Sequence, residues 1–254
     1  MRRKDIDLVV FDLDGTLAET KSAMDSEMSE VLNLLLKKLK VSVISGGAFP
    51  QFEKQFLTSL SAPVDALNNL FLFPTSGTAF FRFSGGNWLN VYHHALAADE
   101  KKKIFKAFEK ILPEAGYERP ENPQGEIIED RFTQITFSAL GQFAPTELKK
   151  QWDPDMLKRQ KIKELLDPHL SDDFEVRVAG TTSVDVTRKG IDKAFGISQM
   201  EIYLNVPRSR MIFIGDRLFP GGNDYPVKQA GVKSYEVAGP EDTKKLIRKV
   251  ISSR

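Results

Sequence analysis

Apolar positions in the first third of the chain fall into short blocks separated by longer amphipathic stretches. Ile6 to Phe11 is a largely apolar run that ends in Asp12-Leu-Asp-Gly15, the pattern of a buried parallel strand leading into a turn. Met24 to Lys40 has helical spacing, and Val41-Ser-Val-Ile-Ser45 reads as a second buried strand, stopped by Gly46-Gly47. Phe49 to Leu60 reads as a helix with Pro50 tolerated in its first turn, and Leu70 to Phe73 as a third strand. Strands alternating with helices at this spacing indicate βαβ units and a parallel sheet.

After Pro74 the rhythm changes. Thr78 to Phe83 and Asn87 to Tyr92 flank Gly85-Gly86 and predict a hairpin rather than a crossover, so a second domain is expected to begin near this point. Asp99 to Leu112 predicts a helix, Glu126 to Leu140 one long strand, Asp155 to Leu166 a helix, and Phe174 to Ala179 and Ser183 to Thr187 two strands. The parallel rhythm then resumes. Helices are predicted at Ile191 to Met200, near Tyr225 to Ala230 and at Pro240 to Ile251, with strands at Met211 to Gly215 and Val232 to Val237. The fold class expected is α/β, a doubly wound, Rossmann-like parallel-sheet core with an inserted α+β cap. The expected segments are core 1–85, cap 86–187 and core 188–254.

Composition narrows the function classes. The 254 residues are 41% hydrophobic and 28% charged, as in an ordinary globular protein. Lys plus Arg (36) almost cancels Asp plus Glu (35), so no global field attracts nucleic acid or an acidic membrane surface, and any anion site must be local. With no Cys there are no disulfides or thiolate metal sites, which fits a reducing compartment, and cytoplasm is the default localisation. The basic start resembles a signal peptide, but Asp5, Asp7, Asp12 and Asp14 interrupt the apolar run. No stretch approaches the roughly 18 apolar residues that a membrane span requires.

The main chemical signal is where the acids fall. Phe11-Asp12-Leu-Asp14-Gly-Thr16 ends one apolar strand and Met211-Ile-Phe-Ile-Gly215-Asp216 ends another, with Gly221-Gly-Asn223-Asp224 following. In open α/β sheets, ligands bind at the carboxyl ends of strands, so both segments deliver carboxylates to the right edge. A lone Asp-x-Asp is more often a turn with a helix cap. Two acid-tipped strands at one sheet edge are different: unit charges 4 Å apart repel by roughly 4 kcal/mol at an effective dielectric of 20, so they need a cation. Oxygen donors without Cys make it a hard cation, with Mg²⁺ the natural candidate. Ser45 and the Gly46 amide end the second strand, where they could hold a phosphoryl oxygen. Lys193 opens a helix and could neutralise phosphoryl charge. Taken alone, Ser45 is a strand-end hydroxyl and Lys193 a surface lysine; they gain weight as members of the set.

In order and spacing these segments resemble the haloacid-dehalogenase superfamily: Asp-x-Asp-Gly-Thr, then Ser-Gly after strand two, then Gly-x-x-Lys, then Gly-Asp with a downstream Asn-Asp. The resemblance implies that Asp12 is the nucleophile and Asp14 the general acid and base. It also implies that Mg²⁺ binds Asp12, the Asp14 carbonyl and Asp216, with Asn223 and Asp224 supporting. The insert resembles the cap of subfamily IIB, and within it the eukaryotic-type phosphomannomutases. Gly215-Asp216-Arg-Leu-Phe-Pro-Gly-Gly-Asn-Asp224 and Ala238-Gly-Pro-Glu-Asp-Thr243 carry that likeness, as do Ile128-Glu-Asp-Arg131 and Ser183-Val-Asp185-Val. The substrate-binding set so implied is Lys21, Gly46, Arg131, Lys149, Ser183 and Asp185, and a cap-mediated homodimer is implied by the same likeness.

The partner expected is a small phosphorylated metabolite, a sugar phosphate. A mutase must keep hold of a bisphosphate between half-reactions, which calls for several cap cations. Where the mutase pattern has two further cap arginines this chain has Gln142 and Lys149, and Lys21 replaces a core arginine. Lysine is a point charge and glutamine is neutral. The expectation is therefore a Mg²⁺-dependent phosphatase acting through an aspartyl-phosphate. The alternative is a phosphomannomutase, and more remotely a catalytically inactive sugar-phosphate-binding module. Other conspicuous residues read as structural: His93-His94 as surface, Asp99-Glu-Lys-Lys-Lys103 as a solvated helix start, Phe80-Phe-Arg-Phe83 as strand core, and Asp153-Pro-Asp155 as a helix start.

Overall fold

The computed structural model describes residues 6–20, 22–170 and 172–252. The chain divides into two compact units, Met1–His93 with Ile191–Arg254, and His94–Gly190.

The first unit is a seven-stranded sheet. Its strands are β1 (Leu8–Asp12), β2 (Lys40–Ile44), β3 (Leu70–Phe73), β4 (Ala79–Ser84), β5 (Asn87–His93), β10 (Met211–Gly215) and β11 (Lys233–Glu236). Their order is β11-β10-β1-β2-β3-β4-β5, parallel from β11 through β3 and antiparallel across β4 and β5. All five residues of β1 are buried, because helices cover both faces. On one face Val9, Phe11, Val41, Val43, Ile212 and Ile214 pack with α1 (Ser26–Leu36) and α2 (Phe49–Gln55). On the other, Leu8, Val10, Ile44 and Phe213 pack with α7 (Lys193–Leu204) and α8 (Tyr225–Gln229). Each fully buried Leu, Ile or Phe contributes about 1.5–3 kcal/mol. The chain winds outward from β1 to β3 on one side and from β10 to β11 on the other. The switch point therefore lies between β1 and β10, where a crevice opens at the strand carboxyl ends.

The second unit is a four-stranded antiparallel sheet, ordered β6 (Ile128–Asp130), β7 (Ile135–Ser138), β9 (Ser183–Arg188) and β8 (Phe174–Ala179). Its apolar face, Ile135, Phe137, Val176, Val184 and Val186, packs on Ile104, Phe108 and Ile111 of α4 (Ala98–Glu114) and on Ile162, Leu166 and Leu170 of α6 (Leu157–Leu170). The remaining helices are α3 (Val64–Leu67) and α9 (Pro240–Ser252) in the first unit and α5 (Thr146–Trp152) in the second. This is the doubly wound α/β core with an inserted α+β cap that the hydrophobic pattern implies.

Two expectations change. The boundaries fall at His93/His94 and Gly190/Ile191 rather than at 85/86 and 187/188, because the β4–β5 hairpin adds to the core sheet instead of opening the cap. The long strand predicted over 126–140 is two strands, β6 and β7, paired antiparallel with Ile128 opposite Phe137. Arg131 to Gln134 form the turn between them, with Phe132 at a φ of 64°. A further helix, α5, lies in a stretch to which the hydrophobic pattern assigned no element. No helix among the described residues is long and apolar enough to cross a membrane.

Candidate active site

β1 and β10 deliver their acids to the switch-point crevice. Asp12 is the last residue of β1 and is 3% exposed, and Asp216 follows the last residue of β10. Asp224 sits just before α8, fully buried, its Oδ2 accepting the Arg217 amide at 3.0 Å. Carboxylate oxygens of Asp12, Asp216 and Asp224 lie within 4.8 Å of one another. The turn that brings Asp14 alongside passes through Gly15 at a φ of +76°, and a Cβ there would collide with the Asp216 carboxylate.

Lys193 opens α7, whose N-cap Asp192 accepts the Phe195 amide at 3.0 Å. Its ammonium is buried and donates at 2.5 Å to both Asp12 Oδ1 and Asp224 Oδ1. Burial works against that cation, but the charges of Asp12 and Asp224 outweigh it and raise its pKa above the ordinary lysine range. Burial also pushes the Asp12 carboxyl up, to about 7, with Lys193 opposing and Asp224 adding to the rise. Asp216 is likewise raised, by burial and then by Asp224.

Three carboxylates thus meet the buried Lys193 ammonium and, 3.7 Å from Asp216, the half-exposed Arg217 guanidinium, so negative charge is in excess. Asp216 Oδ1 is buried without a hydrogen-bond partner among the described residues. An all-oxygen set with an orphaned carboxylate oxygen fits a hard divalent cation, which would favour the charged form of the carboxylates it touches.

Ser45 follows β2 and is buried, its Oγ accepting the Gly47 amide at 3.2 Å. Its hydroxyl proton therefore points elsewhere. A Cβ placed on Gly46 would meet only open space, so the backbone there is accessible to a ligand. Asn223 is exposed, in contrast to the buried Asp224 beside it. Lys21 lies outside the described residues.

The cap candidates lie apart from these in sequence and are held differently. On the sheet face opposite α4 and α6, Glu129, Thr136, Asp185 and Arg177 form one row of directly opposed residues. Gln134 donates to Thr136 Oγ1 and Thr136 to Asp185 Oδ1, each at 2.8 Å, while Ser138 and Ser183 share a hydroxyl pair at 3.2 Å. Arg131, half-buried at the turn, donates to Glu129 at 2.7 Å. Lys149 is not a solvated cation: it is 3% exposed and donates to the Gln142 carbonyl at 2.7 Å.

Sequence reasoning passed over several residues that the structure puts in play. Gln51 and Gln55 of α2 both donate to Asp14. Arg177 stands opposite Asp185 and pairs with Glu175 at 2.7 Å. Asp153, read only as a helix start, accepts the Lys158 and Arg159 amides and makes a 2.6 Å ion pair with buried Arg159.

A parallel sheet with acid-tipped central strands and an inserted cap defines a haloacid-dehalogenase-like protein, and solved structures of that fold superimpose on this one. An N-terminally truncated Plasmodium falciparum IMP-nucleotidase gives a TM-score of 0.72 at 17% identity, covering 99% of this chain and 72% of that one. Trehalose-6-phosphate phosphatase of Aspergillus fumigatus gives 0.60 at 15% identity, covering 99% and 95%. The sequence model of the family "Eukaryotic phosphomannomutase" matches residues 28–253, and the chain belongs to that family. It is 26% identical over 250 residues to a probable phosphomannomutase of Caenorhabditis elegans, covering 96% of this chain and 95% of the relative. It is 24% identical over 261 residues to the phosphomannomutase of Spinacia oleracea, covering 100% and 99%. These relatives favour the mutase alternative over the phosphatase expected from Gln142 and Lys149.

Proposed function

We propose that this chain is a Mg²⁺-dependent phosphomannomutase that moves a phosphoryl group between positions of a sugar phosphate through an aspartyl-phosphate on Asp12. The observation that carries the proposal is the Lys193 ammonium bridging Asp12 and Asp224 beside Asp216 at the sheet's switch point. Such an arrangement suits attack by a carboxylate on an anion, which ordinary charge repulsion forbids.

Lys193 fixes Asp12 through Oδ1, which leaves Oδ2 to attack phosphorus in line. The Ser45 hydroxyl, whose oxygen is occupied by the Gly47 amide, turns its proton outward to a phosphoryl oxygen, and the Gly46 amide is available to another. Asp14 gives a proton to the departing sugar oxygen and later takes one from the accepting hydroxyl. The Asp12 and Asp216 carboxylates and the Asp14 main-chain carbonyl would hold Mg²⁺, with Asp224 positioning Lys193 from behind. When bound, the cation supplies positive charge that screens the phosphoryl oxygens. Within the cap unit, Arg131, Ser183 and Asp185 are proposed as substrate-binding residues.

Hydrolysis remains the second reading because of one observation: Lys149 is buried on the Gln142 carbonyl, so neither residue presents a free fork-shaped cation for a second phosphate. The discriminating experiment supplies mannose 1-phosphate, Mg²⁺ and a trace of sugar 1,6-bisphosphate, and follows mannose 6-phosphate and free phosphate together. Isomerisation without net phosphate release supports the mutase. Phosphate release without isomerisation selects the hydrolase, and turnover of neither kind across a panel of sugar phosphates rejects both.

A further inference from the structure

Asp14 is gripped from both sides. Gln51 Nε2 donates to its Oδ2 at 2.8 Å and Gln55 Nε2 to its Oδ1 at 3.1 Å. Both amides come from α2, where a four-residue separation stacks side chains on one face of the helix. The second Gln55 amide hydrogen goes to the Ser22 carbonyl at 3.2 Å, and the side chain is buried. Exchanging its oxygen and nitrogen would set Oε1 against a carboxylate and a carbonyl, so these partners dictate the donor orientation. The reach of Gln51 has its own requirement: its carboxamide crosses Gly47, where a Cβ would overlap Gln51 Oε1 and Cδ. The chain thus gives up a side chain beside Ser45 and Gly46 to let an amide through to Asp14.

Building on the reading of Asp14 as the proton-transfer group, we propose that Gln51 and Gln55 are positioning residues that form a neutral two-donor clamp on its carboxylate. A carboxylate turns about its Cβ–Cγ bond, and proton transfer needs one oxygen held within hydrogen-bond reach of the sugar oxygen. Two donors, one on each oxygen, fix that rotation. Because they are amides, they do so without committing the carboxylate to an ion pair. The clamp acts on proton transfer and not on the Asp12–phosphorus bond, so it should matter only where the leaving group needs a proton.

The test compares wild type with Gln51→Leu, and with Gln55→Met as a second variant, using two phosphoryl donors in the presence of Mg²⁺ and, for isomerisation, a trace of sugar 1,6-bisphosphate. Phosphoryl transfer from mannose 1-phosphate expels a sugar alkoxide, which needs a proton; transfer from p-nitrophenyl phosphate expels a stabilised phenolate, which does not. In each variant, kcat for isomerisation of mannose 1-phosphate should fall about 30-fold, part of the usual acid–base contribution, with KM within threefold. The rate of the first-turnover burst of p-nitrophenolate should stay within threefold of wild type. Combining the substitutions should cost less than the product of the separate losses, since both act on one carboxylate. Isomerisation undiminished in both variants overturns the clamp, as does a burst that slows by the same factor as isomerisation, the mark of a general disturbance. If wild type shows neither burst nor isomerisation, the phosphoryl-transfer reading itself falls, a failure distinct from a variant-specific one.

Discussion

The core and cap units carry charge in contrasting ways. In the core, three carboxylates share the buried Lys193 ammonium and the half-exposed Arg217, and an orphaned oxygen of Asp216 is left over. In the cap, three arginines are already balanced: Arg131 by Glu129, Arg177 by Glu175 and Arg159 by Asp153. Unbalanced buried charge is costly and persists where a ligand completes it, whereas a balanced polar face is stable by itself and binds by exchanging partners. Under the proposed function, this difference assigns the chemistry to the core and substrate recognition to the cap.

The strongest way to break this comparison is Asp12→Asn. It should cut turnover by about 10⁴-fold or more with an unchanged circular dichroism spectrum. Residual activity near wild type would show that the charge excess is not catalytic. Next in size is Arg159→Met in the cap, which leaves Asp153 buried without its cation and should cost about 3–5 kcal/mol in denaturant unfolding. A loss below 1 kcal/mol would mean that the pair is not structural.

The third prediction concerns pH. The Asp12 carboxyl stands at about 7, above its unfolded value of about 3.9, so the metal-free fold gains from protonation in acid and loses that gain as pH rises from about 4 towards 7. A divalent cation needs the deprotonated form. The rise in Tm on adding Mg²⁺ should therefore be slight at pH 5.5 and grow as pH passes through about 7, reaching the equivalent of about 2.7 kcal/mol at a hundredfold excess over Kd. A Mg²⁺ effect independent of pH would contradict the assignment. The smallest effect is expected from Arg131→Gln, which removes the partly buried pair with Glu129. It should raise KM for the sugar phosphate about tenfold, about 1.4 kcal/mol, and leave kcat nearly unchanged.

The core was largely legible because its signals coincide. An apolar run ending in an acid reports both a buried strand and the edge to which its carboxylate is delivered, as at Asp12 and Asp216. Lys193 and Ser45 were legible only as members of that set. The cap was harder. The stretch from Glu126 to Leu140 read as one strand although the polar pairs Asp130-Arg131 and Thr133-Gln134 break its alternation on either side of Phe132, where the chain turns at positive φ. Gly85-Gly86 marked a real hairpin turn but said nothing about which sheet the hairpin joins. Gln51 and Gln55 carry no charge to advertise a role; their signal is a helical spacing beside Gly47, which gains meaning only once Asp14 is in place.

The most direct test of phosphoryl transfer at the core is to trap the intermediate. Protein mixed briefly with Mg²⁺ and ³²P-labelled mannose 1-phosphate, then denatured in acid and mapped by peptide, should carry its label on the segment containing Asp12, with borohydride reduction converting that aspartate to homoserine. Label at another residue, or rapid turnover with no protein-bound phosphate at any quench time, would contradict the account.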